Sequence, residues 1–219
     1  MRNILLVPVA LCFLLSACSK APAFRMEGRV PDPVFEGSKV YLVALDAPLT
    51  GNVDSTCVSG GTFEFSIPAD SSEVRILRIP ARFPSIVEDL VVVCEPGTLT
   101  VVLDSVSRGS GTRLNNLLQK WKETKRANDS LQWIISMKLR QEAADKELTD
   151  SLKLESQKLY RAMLSESISL MNSNLFNGVG LLIYKLYYDA LPPEVRDYVT
   201  KMTGRLYLEK DAQLRQRFE

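Results

Sequence analysis

The chain contains no histidine. That removes every Ser-His-Asp or Cys-His nucleophile pair and every zinc site built on imidazole. Cysteine is scarce as well, with four in 219 residues: Cys12, Cys18, Cys57 and Cys94. No two of them stand as C-x-x-C, the spacing a thioredoxin-like reductase uses, and a closed four-thiolate metal centre would need all four. Charge of either sign is missing too: 27 basic residues against 26 acidic give a net charge of +1. A balanced chain has no electrostatic case for nucleic acid, whose affinity comes mainly from neutralised phosphates. Nor does any apolar run approach the roughly 20 residues that cross a hydrocarbon core.

What is present begins at the N-terminus. Met1-Arg2-Asn3 places a charge ahead of the apolar run Ile4 to Leu15, and small Ser16-Ala17 follow before Cys18. A charged start, a short apolar middle and a small-residue end describe a secretory signal peptide, residues 1–17. Leu15-Ser16-Ala17-Cys18 resembles the lipobox of bacterial lipoproteins, which implies cleavage before Cys18 and lipidation of its thiol. Several acyl chains on one residue hold a protein on a bilayer without spanning it. The plainer reading is an exported protein with an incidental cysteine. Residues 18–23 then form a lipidated linker. Ser19 is not the aspartate that resembles an inner-membrane retention signal, and no acidic surface-export cluster follows. The expected address is therefore the outer membrane, facing the periplasm, with surface display left open.

Residues 24–106 read as strands. Phe24, Met26 and Val30 alternate with charged residues, the period of a half-buried strand. Lys39 to Leu45 is apolar on both faces, as a central strand is, and Leu90 to Cys94 reads as buried. Gly60-Gly61 suits a tight turn, and Thr62 to Ile67 alternates cleanly. Short strands divided by Gly, Pro and Asp, with no helix-length crossover between them, predict an antiparallel sandwich-like domain.

Residues 107–219 change character. Ser110 or Thr112 can cap a helix. Leu114, Leu118, Trp121, Leu131, Ile135 and Leu139 then recur at three and four residues, with a dent expected at Asn128-Asp129-Ser130. Leu148, Leu152, Leu159 and Met163 carry a second stripe. Asn172-Ser173-Asn174 and Asn177-Gly178 mark a break before a buried helix, Leu181 to Tyr188, and Pro192-Pro193 opens another. The fold class predicted is α+β: an antiparallel β-sandwich-like domain followed by a helical hairpin or bundle.

The strand half resembles the DUF4369 family, an N-terminal domain of Bacteroidetes lipoproteins. The resemblance rests on Phe24-x-Met26-x-Gly28, Lys39-Val40-Tyr41-Leu42, Asp54-Ser55, Gly61 to Phe65, Glu95-Pro96-Gly97, and Gly109 to Thr112 with Asn115. In many relatives a thioredoxin-like domain follows. Here no W-C-x-x-C sequence occurs, so the resemblance implies the platform and not the reductase.

Of the candidate sites, Cys18 is the expected lipidation point. Cys57 and Cys94 leave two readings open, a disulfide or two buried free thiols in neighbouring strands. Gly109-Ser110-Gly111-Thr112 ahead of a helix could hold an anion on free amides, or serve only as a turn and cap. Asp54-Ser55 and Glu88-Asp89 read as a turn and a solvated loop. Trp121, Trp133, Tyr184, Tyr187, Tyr188 and Tyr198 are either core or an exposed groove. Together these predict a non-enzymatic envelope scaffold with a membrane anchor, a protein partner and no cofactor. The partner expected is a separately made thioredoxin-like protein. The alternatives are a redox protein using Cys57 and Cys94, and a lipoprotein that captures nutrients or glycans.

Overall fold

The computed structural model describes residues 23–45, 53–69, 73–142 and 144–203. Cys18, the leader, residues 46–52 and the terminal segment 204–219 lie outside the described residues. Among the described residues eight strands precede four α-helices, the α+β order that the hydrophobic periods predict.

The strands form two four-stranded sheets. One contains β1 (Ala23–Arg29), β4 (Thr62–Pro68), β7 (Gly97–Val102) and β8 (Arg108–Ser110), in the order β4-β1-β7-β8. The other contains β2 (Lys39–Ala44), β3 (Asp54–Cys57), β5 (Glu73–Arg78) and β6 (Leu90–Cys94), in the order β3-β2-β5-β6. Phe24, Met26 and Leu99 of the first sheet and Leu42, Leu77 and Leu90 of the second fill the space between them. Strand β8 lies beyond residue 106, so the sandwich borrows its last strand from the segment expected to be helical.

The expectation of antiparallel pairing holds for every pair but one. β1 and β7 run parallel, Phe24 opposite Gly97 through Arg29 opposite Val102. A parallel pair needs a long crossover, normally a helix. Here the crossover is the chain's excursion through the second sheet.

The second sheet is covered on both sides along β2, β5 and β6, which is why β2 and β6 read as continuous apolar runs, while the edge strand β3 is polar and exposed. Leu42 and Val92 face the sandwich core, while Val74 and Val93 face a second core with Leu118, Trp121, Ile183 and Tyr184. That core is roofed by α3 (Gly178–Tyr187) and by parts of α1 (Arg113–Gln141), α2 (Lys146–Asn172) and α4 (Pro193–Thr203). Asn177 caps α3 through its side chain and the amide of Val179, as the Asn-Gly break suggests.

Gly60 and Gly61 take φ of 59° and 70°, the left-handed pair of a type I′ turn. The turn delivers β3 of one sheet to β4 of the other, and the Glu36 carboxylate accepts both glycine amides at 2.9 and 3.1 Å.

Two poles follow from the register. Ala23 pairs with Pro68 at the N-terminal pole, and Arg29 pairs with Thr62 and Val102 at the far pole. α1 starts beside Glu95 at the N-terminal pole and passes the sheet edge. It meets Glu88 at the far pole through Arg126. Fifteen residues of α1 follow Arg126, about 20 Å of helix at 1.5 Å per residue. α2 returns alongside: Asn128 donates to Leu159 O, Gln132 to Ser156 O and Trp121 Nε1 to Ser167 Oγ. The dent expected at residues 128–130 does not occur. Asn128 reaches across to α2 and the Ser130 hydroxyl donates to the Arg126 carbonyl, so neither competes with the helix. Among the described residues no helix is long and apolar enough to cross a membrane.

Candidate functional site

The start of α1 is the first candidate. Thr112 occupies the cap position but makes no side-chain cap bond. Glu95, from the turn between β6 and β7, supplies it instead: its Oε1 accepts from the amides of Leu114 and Asn115 at 2.5 and 3.3 Å. Gly111 N donates to the Asn116 side chain. The anion position after Gly109-Ser110-Gly111-Thr112 is thus filled by the protein's own carboxylate, where the helix dipole favours negative charge. Gly111 has φ of 132° and lies so close to the Thr98 carbonyl that no side chain fits. The segment acts as turn and cap.

The second candidate is a polar clamp at the far pole. Both Glu88 carboxylate oxygens accept from the Arg126 guanidinium at 2.7 Å, and Oε2 also accepts the Ser107 amide at 3.0 Å. The Ser107 hydroxyl returns a bond to the Glu88 carbonyl at 2.6 Å. Glu88 therefore ties α1 to two loops of the sandwich rather than sitting in a solvated loop. Sequence reading misses it because its partners stand 19 and 38 positions away.

Lys122, one turn before Arg126, packs on the same side of α1. Among the described residues no ion pair or hydrogen bond reaches its ammonium. Burial pushes it down to about 8, opposed by the Glu88 charge and reinforced by Arg126. Below that value Lys122 is charged in both the folded and unfolded chain, so its burial penalty is present in full. Between about 8 and the ordinary lysine value of 10.5 the unfolded chain binds more protons, and stability rises with pH. Lys122→Met is expected to be more stable than the parent at pH 7, with the advantage shrinking as pH rises through that window. Denaturant melts of both proteins from pH 7 to 10 measure it, and a constant difference would refute the assignment.

Above the clamp the surface turns apolar. Phe83 is 96% exposed and Ile86 69% exposed on the loop between β5 and β6, with Val34 and Val106 on the adjoining loops. The Ser85 hydroxyl donates to Asp32 at 2.6 Å, and Glu88 N donates to Asp104 O, so these loops are tied together. Asn115, Gln119, Lys122 and Arg126 form the stripe of α1 that faces the sheet edge. Its continuation one heptad on is Trp133, 61% exposed, standing about 10 Å beyond Arg126. Exposed aromatics thus project from loop and helix at one end of the molecule.

The aromatic set is divided. Trp121 and Tyr184 are buried in the second core, Tyr187 and Tyr188 are half-buried, and Trp133 and Tyr198 are exposed. Core and surface claim separate members, with no single groove along helical spacing. Asp54 belongs to β3 and pairs with Arg75.

The two cysteines are not brought together. Both are free: Cys57 is exposed on β3 and Cys94 buried on β6, at opposite edges of the four-stranded sheet. Three strand spacings of about 4.8 Å separate the edges, well beyond the ~7 Å that a disulfide spans between Cα atoms. This corrects both readings of the pair, since the strands are not neighbours and only one thiol is buried. Desolvation pushes the Cys94 thiol up to about 12. A thiol reagent at pH 8 is expected to label Cys57 within minutes and Cys94 only after denaturation. Equal labelling of both in the native protein would contradict the geometry.

No family model, curated protein or solved structure matches the chain.

Proposed function

We propose that the protein is a non-enzymatic scaffold of the bacterial cell envelope, anchored through lipidated Cys18 and presenting its far pole to a protein partner. The observation that carries this reading is polar opposition: β1 starts at Ala23 at one pole, and the exposed Phe83, Ile86 and Trp133 lie at the other. A linker over residues 18–22 reaches at most about 17 Å, so an anchor at Cys18 leaves the apolar end facing away from the bilayer. In this reading the sandwich is the DUF4369-type platform. The partner is an envelope protein such as a separately made thioredoxin-like one. The Cys57–Cys94 separation gives the redox alternative no dithiol couple.

The test has two parts. Cys18→Ser is expected to move the protein from the membrane to the soluble fraction. Photo-crosslinking from position 83 in intact cells is expected to yield one discrete adduct, lost when Ile86→Ser and Trp133→Ser are added. A soluble parent protein, or crosslinks unaffected by those changes, would overturn the reading. Exposed Trp133 supports glycan capture as a second reading. Since Trp121 is buried, a sugar-dependent change in tryptophan emission that disappears in Trp133→Phe would favour it.

A further inference from the structure

We draw no further inference here: the strongest candidate, the apolar tip that exposed Phe83 and Ile86 form on the loop between β5 and β6, belongs to the far-pole surface already described, and nothing in the structure shows what covers it.

Discussion

Replacing Asn115 by leucine is expected to lower the unfolding free energy by about 3 kcal/mol, among the largest losses from any single polar side chain here. Asn115 is buried against β6, the edge strand of the second sheet. Its Oδ1 accepts the Val93 amide at 2.9 Å, and its Nδ2 donates to the Val93 carbonyl at 2.7 Å and to Thr112 Oγ1 at 2.8 Å. One primary amide thus stands in for one residue of a neighbouring strand. Leucine fills similar space and leaves the Val93 N–H without a partner, at a cost of about 1–3 kcal/mol, while the Val93 carbonyl keeps only the Glu95 amide at 3.1 Å. Aspartate is the sharper variant. It still accepts from the Val93 amide but turns an oxygen toward the Val93 carbonyl, so it is expected to be no better than leucine. Denaturant unfolding measures the loss, and hydrogen exchange locates it: the Val93 amide, protected in the parent, should exchange far faster in either variant. Unchanged protection at Val93 would show that the edge is sealed by something other than Asn115.

That contact also marks where sequence reading stops. The strands of the sandwich were legible because burial repeats every two residues. The apolar runs at Lys39 to Leu45 and Leu90 to Cys94 read as a central and a buried strand, and the second core shows why: it covers the outer face of their sheet. Gly60-Gly61 and Asn177-Gly178 were legible because local backbone geometry selects those residues. Glu88, Glu95 and Asn115 were not. Each acts across 19 to 38 positions through hydrogen bonds to backbone or to one arginine, and such bonds leave no period. Cys57 and Cys94 failed for a related reason: residue type suggests a pair, but only strand order shows that two other strands lie between them. The parallel β1–β7 pair escaped because nothing in either strand records the direction of its neighbour.

Gly28 is a position where a single methyl group should do large damage through one identifiable side chain. It lies on β1, inside the first sheet, directly opposite Phe63 on β4, and a Cβ built there would overlap the Phe63 ring. The ring occupies the space above the glycine. It is held there by an edge contact with Phe65, with centroids 6.1 Å apart and planes at 76°. Phe63 is itself buried, so it cannot swing into solvent without uncovering the core. Gly28→Ala must therefore shift the ring or spread two paired strands, and overpacking of this kind costs about 3 kcal/mol. The cost belongs to the pair, which makes it separable from any general intolerance of β1. Phe63→Leu alone should cost about 1–2 kcal/mol for the volume lost. Combined with Gly28→Ala, it should leave the protein more stable than Gly28→Ala alone, because the new methyl fills space the ring has vacated. Simple additivity in that cycle, read from denaturant midpoints with unchanged slopes, would show that alanine fails at position 28 through the backbone and not through the ring.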